Sequence, residues 1–302
     1  MSLSGIVNLN KPWGMTSRRA VDHVQRLVRP AKAGHAGTLD PLASGVLVVC
    51  VGQATRLIEY VQRMRKRYRG AFLLGRWSDT EDVTGRVVEL DQPPIPARAA
   101  VDAAARSLVG RLMQRPPAFS ALKVGGRRAY DLARAGQAVE LAPREVTIDR
   151  LEVVDYAYPE LTLDVECSGG TYVRSLGRDL AIALGTQAVM SSLVRGAIGD
   201  FRLDGALAPD SLTRENIAAS LLPPRAAVPD LPAISLDEDE LHTIGRGMPV
   251  AVSPERVTMA LQATSNAAAE EWAAIDASGR LAAILKPLGE GRFTPTKNLA
   301  VD

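Results

Sequence analysis

The densest run of chemically capable residues is 34–45, GHAGTLDPLASG. It places a histidine, an Asp-Pro pair, two hydroxyls and three glycines directly before the apolar run GVLVVCV at 45–51. Glycine permits tight turns and close approach of backbone to a ligand. Proline after Asp40 biases the aspartate towards extended backbone, which keeps its carboxylate on a loop and out of a helix. A loop tied to a buried strand is where a rigid scaffold presents a reactive group. From the residues alone, two readings of Asp40 stand: it caps a turn, or it offers a carboxylate for catalysis. His35 could serve as a general base, but spacing does not establish a His–Asp geometry. The loop has no GxxxxGK[ST] phosphate cradle and the chain no GxSxG nucleophile elbow.

The elements that must position this loop are legible around it. Residues 16–29 predict a helix, with Thr16 or Ser17 as cap and Ala20, Val21, Val24, Leu27 and Val28 on one face. The run 45–51 predicts a buried strand, 53–63 a helix with Leu57, Ile58 and Val61 facing inward, and 68–75 a strand. Residues 92–96 (QPPIP) interrupt any element, and 98–109 is Ala-rich and helical. Strands are expected at 147–154 and 161–167, and a helix at 171–184. This irregular alternation favours an α+β fold with a mixed sheet over a regular doubly wound one. The proline-rich stretch 222–232 (LPPRAAVPDLP) marks a boundary between 1–230 and a small β-rich domain at 231–302, where 271–276 and 281–285 flank the turn ASGR.

Composition and charge narrow the function classes. With 302 residues, 46% hydrophobic and 23% charged, the chain is an ordinary globular protein of one large domain and one small one. The longest apolar run, six residues, is far short of the roughly 20 that span a bilayer. No secretory signal is visible at the start, and only Cys50 and Cys167 are present, so a reducing cytoplasm is expected and a disulfide framework is not. Three histidines and two cysteines in no ligand-like spacing predict no metal site. Residues 231–302 carry ten acidic and six basic side chains, net −4, which leaves +6 on residues 1–230. Within 56–76, seven cations (Arg56, Arg63, Arg65, Lys66, Arg67, Arg69, Arg76) stand against Glu59 alone. Such a stripe reads either as a face for a polyanion or as a solvated surface.

GHAGTLDPLASGVL resembles the catalytic motif of bacterial TruB-type tRNA pseudouridine synthases, and four further segments extend the resemblance in order. They are KPWGMTS at 11–17, KRYRGAFLLGRWSDTEDVTG at 66–85, QRPPAFSALKVGGRRAYDLARAG at 114–136 and CSGGTYVRSLGRDLAIAL at 167–184. Together they cover about residues 5–200. The resemblance implies a mixed, mainly antiparallel pseudouridine synthase fold with a PUA-like C-terminal domain. It also implies isomerisation of uridine 55 in the tRNA T-loop to pseudouridine, with no cofactor, no metal and no obligate protein partner, by a monomer acting on the T-arm.

Residue by residue, the resemblance makes Asp40 the nucleophile, at ring C6 or ribose C1′ of a flipped-out uridine. Arg174 is implied to pair with that carboxylate. Tyr68 is implied to stack on the base and take part in proton handling. Extruding a base costs a few kcal/mol, and stacking on an aromatic ring returns about 1–3 kcal/mol. Tyr172 and Leu193 match further pocket positions, and His35 a wedge that enters the RNA. Asp82 matches a carboxylate near the site, although a turn residue before Thr84-Gly85 is an equal reading. An insert at about 118–143 is implied to grip the T-arm, with Lys123, Arg127 and Arg128, together with Lys66, as RNA-binding residues. Two departures stand out: Ser78 replaces the usual Thr, and Val194 precedes Arg195 where two arginines are common. The same basic face would also suit an RNA-binding protein without activity, or an enzyme of this family acting on a different RNA.

Overall fold

The computed structural model describes residues 3–120, 122–124, 126–135, 137, 141–264 and 269–299. The dominant element is a nine-stranded sheet. Seven strands form its main path, in the spatial order Gly5–Lys11, Ala43–Val51, Ala188–Ile198, Lys66–Leu74, Glu160–Cys167, Arg144–Ala157, Gly110–Gln114. Along that path every pairing is antiparallel except the one between Ala43–Val51 and Ala188–Ile198. This is the mixed, mainly antiparallel α+β sheet that the sequence predicts.

The apolar continuity of GVLVVCV has a direct cause, since its strand is covered on both sides. Leu47, Val49 and Val51 pack with Val7, Leu9 and the buried face of the helix Ser17–Val28. Val46, Val48 and Cys50 pack on the opposite side with Ile6, Leu57 and Val61. Thr16 caps that first helix by accepting from Arg19 N at 3.1 Å. Further along the sheet, Phe72, Leu163 and Val165 meet the helices Arg98–Ser107 and Val173–Ala183 through Val101, Ala105, Leu176 and Leu180.

Two expectations need correction. The helix expected over 53–63 divides into a 3-10 segment Gly52–Leu57 and a short α-helix Ile58–Arg63. Thr55 Oγ1 donates to Gly52 O at 2.7 Å, a local bond of the kind that competes with α-helical continuation. The strands Gly5–Lys11 and Ala188–Ile198 fall where the sequence reading assigned no element. In Ala188–Ile198 two serines, an arginine and a glycine interrupt the apolar pattern, although the strand lies inside the sheet.

The tail forms its own five-stranded sheet, in the order Ala233–Ser235, Trp272–Ile275, Leu281–Gly289, Arg292–Asn298, Val250–Ala251. The predicted turn 277–280 is held by Asp276 Oδ1, which accepts from Ser278 N and Arg280 N, each at 2.9 Å. The proline-rich stretch is packed: Leu222 bridges Ile6, and Ala227 and Val228 are buried with Ala273, Leu281 and Ile284 of the tail. Among the described residues no helix is long and apolar enough to cross a membrane.

Candidate active site

The loop 34–45 is fixed from beneath by groups drawn from three separate segments. From the motif KPWGMTS, Ser17 Oγ donates to Leu39 O at 3.0 Å and accepts from Leu39 N at 2.8 Å. Gly14 N donates to Pro41 O at 2.8 Å, so Asp40 lies between two pinned residues. Lys11, fully buried, donates through Nζ to Ala43 O (2.6 Å), Met15 O (2.7 Å) and Pro12 O (3.0 Å). Burial pushes its ammonium pKa down to about 8, with the Arg195 charge adding to the shift and Asp40 opposing it.

Arg195 is the third anchor. Arg195 is 1% exposed, and its guanidinium donates to three backbone carbonyls: Val46 O at 2.7 Å, Gly37 O at 3.0 Å and Thr38 O at 3.4 Å. Gly45 makes this arrangement feasible. It sits at φ +101°, and a Cβ there would lie 2.3 Å from Arg195 O across the parallel pairing, a separation no side chain tolerates.

Arg174, in the first turn of the helix Val173–Ala183, gathers the remaining segments. Its Nη2 lies 3.0 Å from Asp40 Oδ2 and donates to Phe119 O at 3.0 Å. Its Nη1 donates to Thr80 O at 2.8 Å and stands 3.8 Å from Asp82 Oδ2. The arginine is 5% exposed whereas the Asp40 side chain is 36% exposed, so the pair presents its carboxylate end to solvent. Asp82 is buried and accepts through Oδ1 from Thr80 Oγ1 (2.8 Å), Thr84 N (2.9 Å) and Thr84 Oγ1 (2.5 Å). It therefore holds the 78–85 turn and also stands beside Arg174, although it is not among the cavity-lining residues.

Asp40, Tyr68, Tyr172, Arg174, Leu193 and Arg195 line one cavity of about 410 Å³. Tyr68 pairs with Arg195 across adjacent strands, and Arg195 in turn pairs with Gly45. Three neighbouring strands thus bring the loop, the guanidinium and the phenol together. Burial holds the Tyr68 pKa above the ordinary phenol range; the Arg195 charge opposes this, and Cys167 and Asp40 reinforce it. The phenol is therefore neutral at neutral pH. Tyr172 is placed by Gln114, which donates to Tyr172 O at 3.1 Å and accepts from Tyr172 N at 2.8 Å. The Arg144 guanidinium lies over the Tyr172 ring, 4.7 Å from its centroid.

Other predicted positions fall elsewhere. Lys66 lines the cavity but is 6% exposed, and its Nζ donates to Gln62 O and Met64 O, both at 2.6 Å. It binds the protein's own backbone and is not an outward phosphate contact. His35 is half-buried on the short strand Ala33–His35 and is not among the cavity-lining residues. Arg127 is exposed in a two-residue hairpin in which Val124 and Arg127 pair. The side chains of Lys123 and Arg128 lie outside the described residues.

The basic stripe at 56–76 also changes character. Arg67 and Arg69 point outward on the strand Lys66–Leu74 and meet Glu166 (3.3 Å) and Asp164 (2.8 Å) of the adjacent strand, while Arg65, just before the strand, meets Asp149 of the next strand over at 3.1 Å. Arg63 pairs with Glu59 and Arg76 with Glu89. Arg56 donates to the backbone of Asn298. The stripe is mostly compensated within the protein.

The sequence reading missed Lys11, Gln114 and Arg195 as functional positions. Lys11 and Gln114 open two of the motifs quoted above and Arg195 stands beside a departure from the family pattern, but in sequence each resembles an ordinary surface residue. Chemically, the arrangement offers a solvent-facing carboxylate held by a buried guanidinium, a neutral phenol and apolar walls. Among the described residues no group of three or more His, Cys, Asp or Glu side chains could hold a metal ion.

Comparison with known proteins gives the family. Residues 25–173 match the family described as TruB family pseudouridylate synthase, N-terminal domain; Asp40 and Tyr68 lie inside that match and Arg174 just beyond it. The chain is 42% identical over 249 residues to the tRNA pseudouridine synthase B of Heliobacterium mobile, covering 82% of this chain and 81% of that one. It is 38% identical over 299 residues to the tRNA pseudouridine synthase B of Dehalococcoides mccartyi (strain ATCC BAA-2266 / KCTC 15142 / 195), covering 98% and 96%. Among solved structures, a chain of a Cbf5-Nop10-Gar1 complex aligns with a TM-score of 0.67 at 22% identity, covering 95% of this chain and 79% of that one. At that identity the likeness speaks for the fold.

Proposed function

The chain belongs to the TruB family of pseudouridylate synthases, and we propose that it converts a uridine of tRNA to pseudouridine, at position 55 of the T-loop, with Asp40 as nucleophile. The observation that carries this reading is the Arg174–Asp40 contact of 3.0 Å at a cavity walled by Tyr68, Tyr172 and Leu193. A uridine in a folded loop must be extruded before its ring can be reached. The Tyr68 ring offers a stacking surface for the extruded base, and Leu193 an apolar wall that excludes water.

The Asp40 carboxylate then adds to ring C6 or to ribose C1′, and the N1–C1′ bond breaks. The uracil turns so that C5 faces C1′, the C5–C1′ bond forms and the carboxylate is released. A proton lost from C5 balances the one gained at N1, so product and substrate have the same composition. Arg174 keeps the carboxylate aimed throughout. The neutral Tyr68 hydroxyl is placed to relay a proton at the base edge. One chain supplies every group named here.

The test is an unmodified tRNA transcript incubated with wild type and with Asp40→Asn, with pseudouridine mapped nucleotide by nucleotide. Conversion confined to uridine 55 in the wild type, and none in the variant despite retained tRNA binding, is the expected result. Substantial turnover by Asp40→Asn would remove the nucleophile assignment, and conversion elsewhere would remove the position.

A further inference from the structure

If a folded RNA docks at this cavity, its phosphates require cations that the protein has not already neutralised. The stripe at 65–69 does not meet that requirement, because each of its outward arginines has a carboxylate partner. The helix Ser17–Val28 and the residues after it differ. Residues 16–32 contain five cations and a single acid, Asp22, which is taken by Arg18 at 2.8 Å. Arg19, Arg26, Arg29 and Lys32 are exposed and have no side-chain hydrogen bond or ion pair among the described residues.

Their placement is regular. The buried face of the helix is Ser17, Ala20, Val21, Val24 and Val28. At 3.6 residues per turn, Arg19 and Arg26 differ by only about 20° in direction and lie opposite that face. The helix has no acidic residue in its first turn, although acids there would suit the helix dipole and cations do not. Arg18 supports the helix through its i,i+4 pair with Asp22, and Arg26 in the last turn suits the dipole; Arg19, in the first turn, is not explained by helix stability.

The row also has a fixed relation to the cavity. Its N-terminal end is bonded to the reactive loop through Ser17–Leu39 and Gly14–Pro41. Its far end, Lys32, leads directly into the strand Ala33–His35 that opens the loop. Trp13, one residue before Gly14, is 72% exposed and stands at the same edge. An exposed indole beside free cations is the combination that binds nucleic-acid strands by stacking and phosphate contact.

We infer that Arg19, Arg26, Arg29 and Lys32, with Trp13 at the end nearest Asp40, form a track for the sugar-phosphate backbone of the substrate RNA. This rests on the reading of a folded RNA as substrate, but binding alone tests it. Each phosphate contact contributes about 0.7–0.9 to the slope of log K against log salt concentration.

The experiment measures tRNA affinity across a salt titration, and KM and kcat, for wild type, Arg19→Ala/Arg26→Ala/Arg29→Ala/Lys32→Ala, Trp13→Ala and the comparison variant Arg65→Ala/Arg67→Ala/Arg69→Ala. The four-site variant is expected to lose about 2 or more from the salt slope and to raise KM while keeping kcat. Trp13→Ala is expected to weaken binding about 5-fold or more with the slope unchanged. The comparison variant is expected to keep the wild-type slope. A wild-type slope in the four-site variant, or a larger loss in the comparison variant, overturns the track. The single reversal Arg26→Glu, with unfolding monitored, guards against a folding defect. A wild type that makes no pseudouridine refutes the proposed reaction instead, and the slopes still decide the track.

Discussion

Two segments supply walls of the same cavity, and they are held in opposite ways. The loop 34–45 is pinned by buried side chains reaching up from the sheet and the first helix: Lys11, Ser17 and Arg195 bind the backbone of Gly37, Thr38, Leu39, Ala43 and Val46. The described residues of 118–137 bond mostly to one another, as in Ala129 N to Leu122 O at 2.7 Å and Tyr130 N to Ser120 O at 3.0 Å. Phe119 O ties the segment to the sheet domain by accepting from Arg174 Nη2 at 3.0 Å. The Ser120 hydroxyl is buried with no partner among the described residues. A nucleophile needs a fixed aim, because an error of about 1 Å can lower rate a hundredfold. On the proposed reading the second segment receives RNA, which calls for local pairing and charge more than for internal anchors.

That contrast can be broken most severely at Arg195. Arg195→Ala should destabilise the fold by about 3 kcal/mol or more, since three carbonyls lose a charged donor in the interior; denaturant midpoints at unchanged slope would measure it. Unfolding at the wild-type midpoint would show that the loop holds itself. Arg174→Lys keeps the charge but not the planar fork that spans Asp40, Thr80 and Phe119. Its kcat should fall about a hundredfold with tRNA affinity nearly unchanged, as single-turnover kinetics would report. Equal activity would mean that charge alone orients the carboxylate.

Smaller effects sharpen the comparison. Ser17→Ala leaves both Leu39 N and Leu39 O without a partner, which should cost about 1–3 kcal/mol, and thermal unfolding beside a kcat assay would reveal whether aim suffers with stability. At the other wall, Arg127→Ala should change stability by less than about 0.5 kcal/mol while raising KM for tRNA. A drop in stability comparable to that of Ser17→Ala would place Arg127 in the scaffold and erase the distinction between the walls.

Much of the site was readable because its signals are local. The loop GHAGTLDPLASG, the helix after Thr16, the hairpin around Asp276 and the doubly buried strand Ala43–Val51 each follow from residues within a few positions of one another. Tyr68, Tyr172, Leu193 and Arg174 were placed by motif resemblance, and they do converge with Asp40. Lys66 was misjudged because a lysine in a basic run looks exposed, and nothing in KRYRG indicates that its ammonium turns to Gln62 O and Met64 O.

The sequence by itself therefore determined which residues could do chemistry, which turns and helices frame them and which strand must be buried. Only the tertiary structure decided that Arg195 is an interior anchor, that Lys66 turns inward, and that Asp149, Asp164 and Glu166 neutralise one basic row while leaving the helix row free. Periodicity and turn chemistry act through near neighbours in the chain. Charge pairing and hydrogen bonds act over a few ångströms in space, and those distances exist only once the sheet has brought remote segments side by side.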